Sequence, residues 1–104
     1  MTNQQNAVLA RTERLCQYLK KNYLKSYPVG SGGNFHVKSG RKYLKIIHEN
    51  SSVHAFVDKK TGDVFKPASY NAPAKHVRYN LLDEKSFTDC ITHADWAGGY
   101  LYMR

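Results

Sequence analysis

The apolar and polar positions of this chain follow one period up to about residue 30 and another from residue 34, and that change divides the fold. Between residues 8 and 23 the apolar positions recur at helical spacing. At about 100° per residue, Val8, Thr12, Leu15, Cys16, Leu19 and Tyr23 share a stripe of the width that docks on a core. The spacing predicts an amphipathic helix over residues 7–26, with Asn3 or Asn6 placed to cap its start. Its opposite side carries Arg11, Arg14, Lys21 and Lys25, with Tyr18 among them and Glu13 as the helix's single acid. Pro28 ends the helix, because the residue before a proline is pushed out of helical conformation, and Gly30, Ser31, Gly32 and Gly33 form a connector. That glycine run is not a phosphate loop: it follows a helix, precedes a strand and lacks the Lys-Ser/Thr ending that meets phosphate and magnesium.

From residue 34 the period is two. Residues 35–38 alternate, Ser39 and Gly40 turn the chain, and residues 42–49 form a longer strand. Tyr43, Leu44, Ile46 and Ile47 put apolar groups on both its faces, which predicts a central, strongly bent strand of a small barrel. Asn50, Ser51 and Ser52 turn into a strand over residues 53–58, and residues 58–63 form a hairpin loop with Gly62 at positive φ. Residues 64–66 return antiparallel and stop at Pro67; residues 71–75, with Pro73, make a loop. A last strand over residues 76–81 shows Val77, Tyr79 and Leu81 on one face and His76, Arg78 and Asn80 on the other. Asp83 to Ser86 starts a helical turn, Gly98 and Gly99 interrupt, and residues 100–102 are predicted as a final short strand. The pattern therefore predicts a mainly β fold with an N-terminal α-helix, a small bent five-stranded antiparallel barrel. It forms one domain over residues 1–104, with its strands in 34–82 and a C-terminal segment in 83–104.

Composition narrows the function classes. With 104 residues, 41% of them hydrophobic, there is room for one modest core and no second lobe, and self-assembly would add burial to it. Lysine and arginine number 16 against 8 acids, a net charge of +8 that favours an anionic partner, nucleic acid first. Residues 1–48 hold nine basic residues and one acid, whereas residues 49–104 hold seven of each. This asymmetry predicts one basic surface shared between helix and barrel, with the C-terminal segment turned elsewhere. The longest apolar runs are four residues, too short for a membrane span or a signal segment, so a soluble cytoplasmic protein without a membrane partner is expected. Cys16 and Cys90 form no CxxC pair and read as ordinary buried thiols of a reducing compartment.

Candidate chemistry lies in the basic and aromatic residues. The five histidines, His36, His48, His54, His76 and His93, show neither HxH nor helical i, i+4 spacing, so no metal or other cofactor is implied. His48 and His54 can approach across a turn, and a nuclease using two histidines and a lysine is the one enzyme that the composition permits; the expectation is a binding protein rather than an enzyme. Lys38, Arg41, Lys42 and Lys45 surround Tyr43, and Lys59, Lys60, Lys66, Lys75 and Arg78 accompany Phe65, Tyr70 and His76. Cations neutralise phosphates and exposed rings stack on bases, the combination used by single-strand binders.

A helix followed by about five short bent antiparallel strands resembles the layout of Sm-like (LSm) small barrels, which assemble side by side into rings and bind RNA. The segment VFKPASYNAPAKHVRYNLLD, from Val64 to Asp83, is similar to one found in small proteins of marine phages, cyanophages among them, and one such family is similar to the Sm-like fold. The matched residues are Lys66, Ala68, Tyr70, Pro73, Ala74, Arg78, Asn80 and Asp83. The Sm signature loop, Asp-x-x-x-Asn, does not follow the strand at 53–58, and Tyr79 follows Arg78 where glycine would stand, so no uridine-pocket residues carry over. The resemblance implies a homo-oligomeric ring that binds RNA or single-stranded DNA in a phage-infected cell's cytoplasm. On this expectation Lys66, Lys75 and Arg78 contact phosphate and Tyr70 and His76 offer ring surfaces. Arg41, Lys42, Arg11, Arg14, Lys21 and Lys25 widen the positive field. The alternative is a phage accessory or structural protein that binds another protein.

Overall fold

The computed structural model describes residues 2–28, 33–49 and 52–102. The first helix, α1 (Asn3–Ser26), begins earlier than its apolar stripe. Thr2 is its N-cap: the Thr2 hydroxyl accepts the Gln5 N–H at 3.1 Å while the Gln5 side chain accepts the Thr2 N–H at 3.1 Å. This reciprocal capping box was present in the sequence as Thr-x-x-Gln, and it places Asn3 and Asn6 inside the helix rather than at its cap. The predicted stripe does face the core, with Val8, Thr12, Leu15, Cys16 and Leu19 buried and Tyr23 half-buried. Gly30, Ser31 and Gly32 of the predicted connector, and Asn50 and Ser51 of the predicted turn, lie outside the described residues.

Five antiparallel strands follow in simple meander order: β1 (Phe35–Ser39), β2 (Tyr43–His48), β3 (Ser52–Asp58), β4 (Asp63–Pro67) and β5 (Pro73–Asn80). Gly62 closes the β3–β4 turn at φ 79°; a Cβ there would lie 3.1 Å from the Leu82 side chain, so glycine is needed for both conformation and space. Pro67 ends β4 as expected, but Pro73, Ala74 and Lys75, expected in a loop, already belong to β5.

The sheet is not closed into a barrel. β1 and β5 stand at its two edges. α1 packs on β1 and β2 while a second helix, α2 (Glu84–His93), packs on β5, so helices rather than a β1–β5 ladder close the core. Asp83 caps α2 by accepting the Ser86 N–H at 3.1 Å. The segment expected as a final strand is instead a 3-10 helix, Gly99–Leu101, which starts at Gly98 in the left-handed region and inserts Tyr100 and Leu101 into the core. Val8, Leu15 and Leu19 from α1 meet Leu44, Ile46, Ala55, Val57 and Val64 from the sheet, with Phe87 and Cys90 from α2.

Two irregularities redirect side chains. Ile46 pairs with Ala55 but Ile47 with Val53, which leaves His54 as an extra residue in β3. Val64 pairs with Tyr79 but Phe65 with Val77, which leaves Arg78 unpaired in β5. The second shift breaks the alternation predicted for residues 76–81: Tyr79 and Leu81 turn to the core, whereas Val77 is exposed on the other face.

Candidate nucleic-acid interface

Both helices lie on one face of the sheet, and the other face is open. Strand alternation assigns Leu44, Ile46, Ala55, Val57 and Val64 to the core, and therefore Tyr43, Lys45, Phe56 and Phe65 to the open face. Ring and cation contacts agree. Tyr43 meets Phe56 edge-on at 5.7 Å and Phe65 at 6.1 Å. The Lys45 ammonium lies 5.7 Å from the Phe56 ring and 4.4 Å from that of Tyr70, which reaches back from the β4–β5 turn. Phe56 is buried beneath these groups, while Tyr43, Lys45 and Phe65 are half-exposed and Tyr70 is exposed. The Lys42 ammonium stands 5.4 Å over Tyr43.

Lysines gather on this face, with Asp58 and Asp63 flanking the β3–β4 turn and the Lys45 ammonium donating to the Asn71 side chain at 3.5 Å. Lys38 of β1 is the direct cross-strand partner of Lys45 of β2, and like charges in that position repel. At one end of the face the β1–β2 and β3–β4 turns are joined by the Lys59 N–H donating to the Lys42 carbonyl at 3.1 Å, and Arg41, Lys42, Lys59 and Lys60 share one small depression with Asp58. The Asp58 carboxylate is occupied by the backbone N–H groups of Lys60 and Thr61 at 2.8 and 3.1 Å. A platform of rings set among lysines can neutralise phosphates and stack bases.

The sequence-selected residues scatter over the molecule. Tyr70, Arg41 and Lys42 belong to the open face or its rim. Lys75 and His76 are exposed on β5. Lys66 lies elsewhere, 4.9 Å over the Tyr102 ring at the edge of a pocket on the helix side. Arg78 is committed to the chain itself, donating to the Leu101 carbonyl at 2.5 Å and to that of His76. Arg11 is equally committed, to the Leu81 carbonyl at 2.9 Å, to Glu84 and to the face of Phe87 at 4.7 Å. Arg14, Lys21 and Lys25 are exposed on α1, on its side away from the sheet. The single basic surface expected from the sequence is thus two surfaces on opposite sides of the helix–sheet pair. Lys38, Lys45, Tyr43 and Phe65 belonged to the basic and aromatic clusters of the sequence but were not selected from them; the signal for choosing them was strand register, which fixes their common face.

The histidines resolve differently. His48 and His54 both line the helix-side pocket, as does Lys66. His48 stacks on Phe35 at 4.3 Å, and the His54 Nε2 shares a 2.8 Å hydrogen bond with the Tyr100 hydroxyl. Burial, with His48 adding and Asp95 opposing, pushes the His54 imidazole down to about 4, and burial holds the Tyr100 hydroxyl well above the usual phenol range. His54 is therefore held as the neutral imidazole at pH 7. Burial, with Glu13 adding at Cys16, pushes both thiols up to about 12, as structural thiols require. Among the described residues no cluster of histidine, cysteine and carboxylate side chains is arranged to hold a metal, and no helix is long and apolar enough to cross a membrane.

A family model described as "Family of unknown function (DUF7717)" matches residues 1–103, and the chain belongs to that family. No curated protein matches, and no solved structure matches.

Proposed function

We propose that this member of the DUF7717 family binds single-stranded nucleic acid, RNA or DNA, across the open face of its sheet. The observation that carries the reading is the register that pairs Lys38 with Lys45 on a helix-free face, with the Lys45 ammonium over Tyr70 and with Tyr43 and Phe65 beside it. An anion between the two lysines relieves their repulsion, and the rings beside them supply stacking surface for bases. Lys38, Lys42 and Lys45 contact phosphates; Tyr70 and Tyr43 carry bases. Self-assembly into a ring belongs to the same proposal, supported by the two open edges, β1 and β5, whose unpaired backbone groups would be satisfied by a neighbouring copy.

The test is a salt-dependent titration with oligo(U), oligo(dT) and a duplex. Single strands bind in preference to duplex, and log affinity falls with log salt. Lys38→Ala and Lys45→Ala each flatten that slope by about 0.7, the increment for one single-strand phosphate. Tyr70→Ala weakens binding by about 1–3 kcal/mol, the worth of one stacked base. Arg14→Ala and Lys21→Ala, on the far side of the molecule, leave the slope unchanged. Absence of binding by any of the three below about 100 µM at moderate salt would overturn the proposal.

A further inference from the structure

On the helix side of the sheet an open pocket of about 390 Å³ is walled by rings, His48, His54, Trp96 and Tyr102, and by Lys66. The volume is in the range of small-ligand sites. Trp96 is held in place: its ring packs edge-on against Tyr23 at 5.2 Å and Tyr27 at 5.6 Å, and its backbone N–H donates to the Asn22 side chain at 3.0 Å. A wall fixed before binding loses little freedom when a ligand arrives. Lys66 is the one residue lining the pocket, among those described, with a permanent charge, and no carboxylate lines it. A planar group bearing one phosphate matches these features: ring walls for its apolar faces and one ammonium for its charge.

The pocket also connects to the open face. Ser52, Val53 and Pro67 form part of its wall and also line a second depression that ends at Tyr70. Tyr70 is the ring against Lys45 on the open face. Adjoining depressions therefore run from the platform over the end of the sheet to a concave site that a nucleotide at the end of a bound strand can enter.

We propose that this pocket receives the terminal nucleoside monophosphate of a strand whose body lies on the open face, with the base against Trp96 and Tyr102 and the phosphate on Lys66. The strand-end role rests on the sheet-face reading above; the pocket's ligand chemistry stands without it.

Trp96 is the only tryptophan in the chain, so its indole N–H signal in NMR reports occupancy of this pocket directly. The full-length protein is titrated with uridine 5′-monophosphate, uridine, inorganic phosphate, and linear and circular oligo(U) of equal length. Uridine monophosphate shifts the signal saturably with half-saturation below about 1 mM, more tightly than uridine or phosphate, a weak but real affinity for a ligand of this size. Lys66→Ala raises that half-saturation about tenfold, Lys66→Arg restores most of it, and Arg14→Ala, on the far side of the molecule, leaves it unchanged. Linear oligo(U) shifts the Trp96 signal, and circular oligo(U) binds without shifting it. A Trp96 signal that does not saturate with uridine monophosphate, or that saturates equally in Lys66→Ala, overturns the pocket proposal even if both oligonucleotides bind. Equal shifts from linear and circular strands overturn the strand-end role. A response to uridine monophosphate with no binding of either oligonucleotide supports the pocket's ligand and overturns the sheet-face reading.

Discussion

His54 and Asn80 have fates that their own chemistry does not reveal. As the extra residue of the β3 irregularity, His54 is directed to Tyr100 and buried, and its imidazole is pushed down to about 4 against an ordinary value of about 6.5 in the unfolded chain. Because the folded value is the lower one, protonation favours unfolding. The stabilising contribution is complete above pH 6.5 and is lost as pH falls from about 6.5 to about 4, by about 3 kcal/mol at most. Urea denaturation of the wild type and of His54→Gln at pH 7 and pH 4 should show a smaller acid loss in the variant; equal losses would remove His54 as the cause. Asn80 was legible in the sequence as a polar residue of a strand and of the matched segment, with no partner assigned to it. In the fold its side-chain N–H groups reach the Thr61 carbonyl at 2.9 Å and the Asp63 carboxylate at 2.7 Å, and its carbonyl accepts the N–H groups of Leu82 and Asp83 at 2.9 and 3.0 Å. It ties the β3–β4 turn to the start of α2. Asn80→Ala is expected to cost about 2 kcal/mol by denaturant titration, since several partners lose their bonds at once, and a loss under about 0.5 kcal/mol would contradict that role.

At the scale of elements, the helix and most strands were readable because their signals are local. The 3.6-residue stripe of α1 requires no knowledge of its partner, whereas its cap, expected at Asn3 or Asn6, is Thr2. Thr2→Ala should lower stability by about 1 kcal/mol, and Gln5→Ala less, as measured by thermal or urea unfolding; an unchanged midpoint in Thr2→Ala would show that the cap is not stabilising. The last segment was misjudged for a physical reason. Tyr100, Leu101 and Tyr102 are too few residues to show a period, and what winds Gly99–Leu101 into a 3-10 turn is the left-handed Gly98 together with the Asp95 carboxylate, which accepts the N–H groups of Gly99 and Tyr100 at 3.2 and 3.1 Å. The β5 irregularity defeats sequence reading in the same way, because one unpaired residue moves Val77 to the face opposite Tyr79 without any change in composition.

For the molecule as a whole, layer order divides the charge. Packing α1 on the inner face sends Arg14, Lys21 and Lys25 to one side and leaves Lys38, Lys42 and Lys45 on the other. Arg11 and Arg78, both selected from the sequence for nucleic acid, are instead bonded to backbone carbonyls, where they join α1 to α2 and β5 to the C-terminal turn. Assembly is tested at this scale. Light scattering behind a sizing column at micromolar concentration should give a multiple of 11.9 kDa, and a monomer would remove the ring while leaving the open face available to a strand.

The sequence by itself determined the helix, the strand order in the chain, the glycine at the β3–β4 turn and the overall excess of positive charge, since each depends on local periodicity, backbone conformation or composition. Only the tertiary structure decided which lysines and rings share a face, that the sheet stays open, that Arg11 and Arg78 are internal ties, and that His48, His54 and Lys66 meet Trp96 around one pocket. Those outcomes depend on register, on single-residue irregularities and on which face the helices cover, and contacts between residues far apart in the chain settle all three.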